Sequence, residues 1–372
     1  MILKDKHLLI CGDINSVHVQ RWCNSLSGCF KKVTLVSVQK PFNVTEDSII
    51  SKLKKIVLPF EAPFGYILNG PAIRRIIQNE MPDIIHVHSL WGYGFLFYFS
   101  GIKPDVVSVY GFEVFDKPRK SYLHKKIILC FLKRSQAVAS TSSFMAEQIQ
   151  KLGFIGKIHI TPFGVDTNVF QPAEYHEKRS EVLRIGIVKH LSYKYGIDTL
   201  IEAFAIAKKQ LDEQSVMTSL YIYGEGKDAE KLKELAISLE VKECIYFKGS
   251  IPNQQVPAVL QNLDIFCMPS RLESESFGVA ALEAMSCGLP VIASDIGGLP
   301  ALVEPNSNGI LVPPDDVKSL SEAIIKLALD TKLRNKLGSE ARKFVMEKYT
   351  WNSSVDKMMS VYSKIINRDV FK

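Results

Sequence analysis

Short apolar runs alternate with longer segments of helical periodicity along almost all of the 372-residue chain. This alternation is typical of parallel sheets, because a crossover helix must return the chain to the same edge before the next parallel strand begins. The chain is too long for one ordinary core, so two such domains are expected. The predicted strands are 7–11, 33–38, 83–88, 105–110, 137–140 and 157–161 in the first half and 182–188, 219–224, 244–249, 264–269, 290–294 and 309–313 in the second.

A polar, Pro- and Gly-bearing stretch separates the two series of strands. It predicts a first domain over 1–163, a linker over 164–181 and a second domain over 182–349. The segment 350–372 is predicted as a C-terminal helix that either crosses back to the first domain or packs on the second. The other predicted helices are 17–28, 71–80, 120–134, 142–152, 196–211, 227–240, 253–262 and 278–286, with two more before 350. The predicted fold class is therefore α/β, with two tandem Rossmann-like, doubly wound domains facing a cleft lined by the carboxyl ends of the strands.

The composition is that of a soluble globular protein, with 47% hydrophobic and 23% charged residues. Seven cysteines without a CxxC pair are expected to be buried thiols in a reducing cytosol. No apolar run approaches the ~20 residues that span a bilayer, and the N-terminal segment is too short in apolar residues for a signal peptide. No set of residues has metal-ligand spacing, and no GxGxxG follows the first strand, which argues against a nicotinamide dehydrogenase.

The charge is uneven: residues 1–165 contain 21 Lys and Arg against 11 Asp and Glu, a net charge of +10. Such a surface attracts polyanions, anionic lipid head groups or pyrophosphate-linked substrates, and a solvated surface without a partner is the alternative. The basic segment 117–134 interleaves its charges with apolar residues. It is interpreted either as a helix on a membrane surface, with Leu, Ile and Phe inward, or as a core helix with a solvated basic face.

The most informative motif is a pair of glutamates, Glu275 and Glu283, separated by a Phe-Gly step and a short helix of small residues. Gly278 allows a sharp turn into that helix, whose first-turn amides are then free to bind an anion. Two carboxylates on either side of an anion site suit a sugar nucleotide, although glutamates also stabilise a helix start without binding anything. Lys189 and Lys194, in the loop after strand 182–188, are candidates to reach a diphosphate, although a lysine on a loop is more often a solvated surface residue.

Together with PFGVDTNVFQP (162–172), YGEGKDAEKLKEL (223–235) and LEAMSCGLPVIAS (282–294), these segments resemble the retaining glycosyltransferases of family 4, which have the GT-B fold. The resemblance covers essentially the whole chain and is strongest over 183–312. It implies a cytoplasmic enzyme that transfers a sugar from a nucleoside diphosphate sugar to a hydroxyl of a glycan or a polyprenyl-linked glycan, with retention. The co-substrate is the sugar nucleotide itself, and neither a cofactor nor a metal is expected.

The resemblance also implies roles for individual residues. Glu275 would contact hydroxyls of the transferred sugar, and Glu283 would hold the nucleotide ribose. Lys194 and Lys189 would neutralise the departing phosphates, although the family usually has a Gly-Arg pair where this chain has Lys189 and His190, and a lysine is not the bidentate equivalent of an arginine. The remaining donor-side residues are Ser276, Phe277, Gly278, Gly224, Gly226 and Ile251, with an ordinary strand-to-helix turn as the alternative for Gly224 and Gly226.

The N-terminal half departs further from the family pattern. Gly12 stands alone where many members have paired glycines, and Tyr110 occupies the usual histidine position, followed by Glu113 at the usual acidic one. These residues and His88 are the predicted acceptor-side residues, with a packed core role as the alternative for each histidine. Members that build cell-surface polysaccharides use polyprenyl-pyrophosphate acceptors, which favours membrane contact through the basic N-terminal domain; no nucleic-acid partner is expected. The competing hypotheses are a sugar-nucleotide epimerase or hydrolase and a non-catalytic sugar-nucleotide binding protein.

Overall fold

The chain folds into two units. A computed structural model describes residues 3–41, 53–173 and 181–369. Unit 1 comprises Met1–Pro162 and Ser354–Lys372, and unit 2 comprises Phe163–Ser353. Each unit is built on one parallel sheet flanked by helices, so the prediction of an α/β chain with two tandem doubly wound domains is confirmed.

Unit 1 contains a seven-stranded sheet in which all the strand pairs are parallel. The order across the sheet is β3-β2-β1-β4-β5-β6-β7, so the chain winds outward in both directions from the centre. The central strands are continuous apolar runs because helices cover both of their faces. The strands are β1 (Leu3–Cys11), β2 (Phe30–Ser37), β3 (Lys54–Val57), β4 (Ile84–His88), β5 (Val106–Val109), β6 (Ala137–Ser140) and β7 (Ile158–Ile160).

The helices of unit 1 differ from the predicted ones in one stretch. The basic segment forms two helices rather than one, because Ser121 adopts an extended conformation and its side chain accepts a hydrogen bond from the His124 amide, capping a new helix. Short helices at 65–68 and 93–100 were also not predicted. The helices are α1 (Val17–Ser27), α2 (Gly65–Leu68), α3 (Gly70–Glu80), α4 (Tyr93–Ser100), α5 (Phe112–Lys120), α6 (Tyr122–Lys133) and α7 (Ser143–Lys151).

The apolar face of α6 belongs to the core. Ile128, Phe131 and Leu132 are at most 5% exposed and pack in the hydrophobic cluster of unit 1. These three residues therefore fit the core-helix interpretation of the segment. Tyr122 and Leu123, at the start of α6, are 71% and 64% exposed, and membrane contact of the segment stays a prediction.

Unit 2 contains a six-stranded parallel sheet in the order β10-β9-β8-β11-β12-β13. Its strands are β8 (Leu183–Val188), β9 (Thr218–Tyr223), β10 (Ile245–Gly249), β11 (Ile265–Met268), β12 (Val291–Ser294) and β13 (Gly309–Val312). Its helices are α8 (Ile197–Glu213), α9 (Ala229–Ser238), α10 (Val256–Gln261), α11 (Val279–Ser286), α12 (Val317–Leu329) and α13 (Thr331–Lys348).

The described part of the predicted linker, residues 164–173, is held by hydrogen bonds within unit 2. The Arg342 guanidinium donates to the carbonyl oxygens of Thr167 (2.9 Å) and Phe170 (2.7 Å), and the Ser286 hydroxyl donates to Phe170 at 2.6 Å. Residues 174–180 lie outside the described part of the chain.

The last helix, α14 (Trp351–Asp369), belongs to unit 1 from Ser354 onward. The Tyr362 side chain is fully buried there, and its hydroxyl lies 2.7 Å from Nδ1 of His86 on β4. The C-terminal segment is thus an integral part of the first unit's core. Among the described residues, none of the helices combines the length and the apolar character required to cross a bilayer.

Candidate functional site

The carboxyl end of the unit 2 sheet carries an ion pair between two residues that are 86 positions apart in the chain. Lys189 follows β8, and its Nζ lies 3.0 Å from Oε2 of Glu275, in the loop after β11. The two side chains are 17% and 9% exposed, so the charges are largely withdrawn from water and each depends on the other for compensation. Sequence analysis predicted both residues for this end of the sheet, and the structure brings them together.

Lys194 lies beside this pair. It sits in a 3₁₀ turn, Tyr193–Tyr195, which ends at Gly196 with φ +62°, and its Nζ donates to the Ser274 carbonyl oxygen at 3.0 Å. The Tyr195 ring holds both lysines, because its centroid is 4.6 Å from Nζ of Lys189 and 5.3 Å from Nζ of Lys194. Two cations are therefore concentrated next to the loop that precedes α11.

The start of α11 is shaped by Gly278, which has φ +95° and caps the helix at its N-terminal end. A residue with a side chain would be strained in this conformation. The first-turn amides of α11 have no intrahelical acceptor and carry the positive end of the helix dipole. Glu275 lies three residues before Gly278, and half-buried Glu283 lies on α11 itself, so the Glu pair spans the helix start as predicted.

The loop before α11 depends on a pair of glycines that sequence analysis did not single out. A Cβ on Gly297 would clash with the Glu275 carbonyl oxygen, and one on Gly298 would clash with the Ser276 carbonyl oxygen. The Gly298 amide donates to the Glu275 carbonyl oxygen at 2.8 Å. Adjacent glycines directly after β12 were the available sequence signal for this close approach of two backbones.

Gly224 and Gly226 hold the loop that carries Lys189. A Cβ on Gly224 would clash with the Lys189 carbonyl oxygen, and one on Gly226 would clash with the Leu191 carbonyl oxygen. The Leu191 amide donates to the Glu225 carbonyl oxygen at 2.9 Å. The structure therefore gives both glycines a packing role that positions Lys189; a contact of their own with a donor stays a prediction.

Arg271 is a positioning residue that the sequence did not reveal. Its guanidinium forms ion pairs with Asp198 at 2.7 Å and with Asp315, and donates to Thr199 Oγ1 at 2.7 Å. Its backbone amide donates to the Lys194 carbonyl oxygen at 2.8 Å. Arg271 thereby joins the loop after β11 to the turn that carries Lys194.

The other predicted donor-side residues lie at the same end of the sheet. Ser276 and Phe277 are at most 6% exposed. The Phe277 ring packs against Phe163 and Tyr349, so a ligand would contact Phe277 through its backbone. Ile251 is half-buried in the loop after β10.

The equivalent end of the unit 1 sheet carries the uncharged His88 and Tyr110 side chains, and we call it the neutral end, although the buried Glu113 carboxylate also lies there. His88 is 1% exposed, its Nδ1 is hydrogen-bonded to the Tyr110 hydroxyl, and its Nε2 is buried without a hydrogen-bond partner. Burial lowers the pKa of His88 to about 3, so its imidazole is uncharged at neutral pH. Gly12 lies directly beside it, since a Cβ there would approach Cβ of His88 to 3.2 Å. The structure brings Gly12, His88 and Tyr110 together, and the burial of His88 agrees with the packed core role given as its alternative; a contact with an acceptor stays a prediction.

The Glu113 carboxylate is hydrogen-bonded to the two loops beside it. Its Oε1 accepts hydrogen bonds from the Leu90 amide (2.8 Å) and the Ser89 hydroxyl (2.9 Å), and its Oε2 accepts one from the Tyr110 amide at 2.8 Å. With 1% exposure, the carboxylate is engaged in tying the loops after β4 and β5 together. Glu113 thus positions the loops that carry His88 and Tyr110, and a contact of its own with an acceptor stays a prediction.

A metal site was not expected from the sequence. Within residues 3–41, 53–173 and 181–369, His, Cys, Asp and Glu side chains form no group of three that could hold an ion.

Two family models match the chain, one for each unit. The model described as "Glycosyl transferases group 1" matches residues 173–344, and the one described as "Glycosyl transferase 4-like" matches residues 7–142. The chain belongs to the family 4 glycosyltransferases. The loop of Glu275, Lys189 and the start of α11 all lie within the first match.

Solved structures of this fold superpose over nearly the whole length of the protein. Sucrose-phosphate synthase of Thermosynechococcus elongatus covers 98% of it with a TM-score of 0.82 at 18% identity, and 100% of that protein is matched. Anabaena HepE, solved with UDP and glucose, covers 96% with a TM-score of 0.78 at 17% identity, over 99% of its own length. At these identities the likeness shows the GT-B fold.

Curated relatives are matched over part of their length. The D-inositol 3-phosphate glycosyltransferase of Jonesia denitrificans is 30% identical over 222 residues, covering 56% of this chain and 51% of that protein. The GDP-mannose-dependent alpha-(1-6)-phosphatidylinositol monomannoside mannosyltransferase of Mycobacterium tuberculosis is 28% identical, over 55% of this chain and 56% of that protein. The chain thus matches about half the length of these relatives.

Proposed function

We propose that the chain is a retaining glycosyltransferase that moves a sugar from a nucleoside diphosphate sugar to a hydroxyl of a glycan or a lipid-linked glycan. The observation that carries the proposal is the Lys189–Glu275 pair, with Lys194 beside it, at the start of α11. Cations and helix amides suit a diphosphate, and carboxylates suit the hydroxyls of a sugar and a ribose. The family membership and the names of the relatives support the same reaction class.

In the proposed mechanism, unit 2 stabilises the leaving group. The bond between the anomeric carbon and the diphosphate oxygen breaks, and the negative charge that develops on that oxygen is met by Lys194, Lys189 and the first amides of α11. Preorganised donors of this kind contribute about 3–4 kcal/mol each to transition-state stabilisation. Glu275 orients the sugar through its hydroxyls, and Glu283 holds the ribose.

Retention requires the acceptor oxygen to attack on the face that the diphosphate leaves. The new bond joins this oxygen to the anomeric carbon, and the acceptor proton passes to the departing phosphate oxygen, so that no protein nucleophile is needed. Because Lys189 and Lys194 supply the compensating charge, the reaction is proposed to be independent of metal ions.

For the acceptor side we propose the neutral end of unit 1. The buried, unpartnered Nε2 of His88 and the Tyr110 hydroxyl favour an uncharged hydroxyl ligand. The mannosyltransferase relative has a lipid-linked acceptor by its name, which supports a lipid-linked glycan here. We place the reaction at the cytoplasmic face of the cell membrane, in polysaccharide or lipopolysaccharide synthesis.

The test is a transfer assay with the protein, a panel of UDP, GDP and ADP sugars and a pool of glycan and lipid-linked acceptors. We expect a glycosylated product whose anomeric configuration, read by NMR, matches that of the donor, and a rate that survives chelator. Lys194→Ala should lower kcat by about 100-fold or more, whereas the exposed Lys227→Ala is the matched control and should leave it unchanged. Donor consumption without a glycosylated product would instead identify an epimerase or hydrolase, and inversion or loss of activity with chelator would refute the mechanism.

A further inference from the structure

Large apolar side chains are unusually exposed on one part of unit 1, around α2 and the end of α4. Phe64 is 73% exposed, and five neighbours are about half exposed. We call this set the aromatic ridge; its members are Phe60, Phe64, Ile67, Leu68, Tyr98 and Phe99. Single exposed apolar residues are common on proteins, but a cluster of this kind marks an interaction site.

The segments that carry the ridge pack against each other. The Asn69 side chain, directly after Leu68, accepts from the Phe60 amide at 3.1 Å and donates to the Phe60 carbonyl oxygen at 2.7 Å. The next residue, Gly70, lies so close to the Phe99 backbone that a Cβ would be 2.9 Å from the Phe99 carbonyl group. The rings of Tyr98 and Phe99 then meet edge to face at 5.5 Å. These contacts join the segment around α2 to the end of α4.

Cations outnumber anions around the ridge, where the exposed Glu61 is paired with Lys40 at 2.5 Å. Arg74 donates to the Ser100 carbonyl oxygen at 2.7 Å, and the Arg134 guanidinium lies 5.3 Å from the Tyr98 ring centroid. Arg75 and Lys103 are exposed nearby in the chain. The two stretches that carry most of the ridge, 62–79 and 84–104, contain Arg74, Arg75 and Lys103 but neither Asp nor Glu, and Arg134 comes from a separate segment.

We propose that the aromatic ridge docks on a membrane surface rich in anionic lipid, with its side chains in the interfacial layer and Arg74, Arg75, Lys103 and Arg134 against the head groups. Apolar and aromatic side chains flanked by cations are suited to that layer. A second copy of the chain is a poorer occupant, because pairing two such faces would oppose like charges. This surface differs from the basic segment considered in the sequence, of which Ile128, Phe131 and Leu132 are in the core.

The experiment is co-sedimentation with two kinds of vesicle, one of phosphatidylcholine alone and one that also contains roughly 30% phosphatidylglycerol. The anionic lipid gives the second kind the negative surface potential that attracts cationic side chains. The variants are Phe64→Ser, Phe64→Ser with Leu68→Ser, and the matched control Ile155→Ser, which removes a 98% exposed side chain elsewhere on unit 1. Circular dichroism and thermal melting verify that each variant is folded.

We expect the wild type to partition onto the anionic vesicles and to be released by high salt, since the head-group attraction is screened. Each ridge substitution should lower the partition coefficient about tenfold, and Ile155→Ser should not change it. Equal partition of the wild type onto both vesicle types, no binding, or full binding by the double variant would overturn the proposal. If the wild type does not bind vesicles but self-associates, and the double variant is monomeric, the ridge is a subunit interface instead. Vesicle binding needs neither donor nor acceptor, so its outcome is independent of the proposed reaction.

Discussion

The two units share a winding pattern but differ in the chemistry at the carboxyl ends of their sheets. In unit 2 this end is ionic: Lys189 and Glu275 form a largely buried pair, with Lys194 alongside. In unit 1 the histidines are uncharged: His86 and His88 are buried, and burial holds the pKa of each well below its usual value. The Glu113 carboxylate at this end is engaged in hydrogen bonds to the adjacent loops. The same fold thus supplies an end suited to an anionic ligand and an end suited to an uncharged one, and this difference cannot be read from the topology.

The largest effect is expected from the ionic end. Glu275→Ala should lower kcat by about 100-fold or more, because it removes a sugar contact and leaves the Lys189 ammonium uncompensated. His88→Gln at the neutral end should cost about tenfold, mainly in the acceptor KM, since it replaces one neutral polar group by another. Steady-state kinetics of both variants test the contrast, and equal losses would show that the two ends do not divide donor and acceptor in this way.

The next effect concerns the backbone contacts that build the ionic end. Gly298→Ala should destabilise the protein by about 1–3 kcal/mol, because its Cβ would clash with the Ser276 carbonyl oxygen. Gly28→Ala is the matched control in unit 1, since a Cβ there meets nothing within 4 Å and φ is −79°. Thermal unfolding of the two variants measures the difference. An unchanged melting temperature for Gly298→Ala would mean that the 297–298 turn does not support the loop before α11.

The neutral end should make unit 1 sensitive to acid. The pKa of His88 is about 3 in the folded protein against about 6.5 in the unfolded chain. The unfolded chain therefore binds more protons between these pH values, and stability falls as the pH is lowered through this window. At pH 5 the loss from His88 is about 2 kcal/mol.

This loss is measured by denaturant unfolding in a Trp351→Phe background, where the remaining tryptophans, Trp22 and Trp91, both report on unit 1. His88→Gln should flatten the pH dependence between pH 6.5 and 5. An identical dependence in wild type and variant would show that His88 titrates normally in the folded protein.

The smallest effect is expected at Arg271, which acts through the Lys194 turn. Arg271→Lys keeps the charge but loses the forked contacts to Asp198, Asp315 and Thr199, so we expect the donor KM to rise about three- to tenfold with little change in stability. Arg184→Lys, on β8 in the same unit, is the control. A change in acceptor KM alone would contradict the link between Arg271 and the donor site.

The strands were predictable where helices cover both faces of the sheet, because burial then produces an apolar run. The edge strand β3 was missed because Lys54 and Lys55 interrupt that pattern. The helix α4 was missed because YGFLFYFS is apolar all round and has no helical period. The division between α5 and α6 depends on a single capping serine, Ser121, within a basic segment that otherwise reads as continuous.

The residues expected to contact the ligand were easier to predict from the sequence than the residues that hold them in position. Glu275 and the two lysines lie in recognisable loops after strands, and Glu283 lies on the helix that follows the Glu275 loop. Arg271 was not recognisable, because its partners Asp198 and Asp315 are 73 and 44 residues away and meet it only in the folded unit. Glu113 was given a ligand role because an acidic residue near a strand end resembles a binding group, whereas its hydrogen bonds are all to the adjacent loops.

The most direct test of the central claim is a crystal structure of the protein with the nucleoside diphosphate sugar that raises its melting temperature most. The account predicts the diphosphate at the first turn of α11, within hydrogen-bond distance of Nζ of Lys194, with Glu275 on the sugar and Glu283 on the ribose. A diphosphate bound elsewhere, with the Lys189–Glu275 pair unchanged at 3.0 Å and the two glutamates away from the ligand, would contradict it.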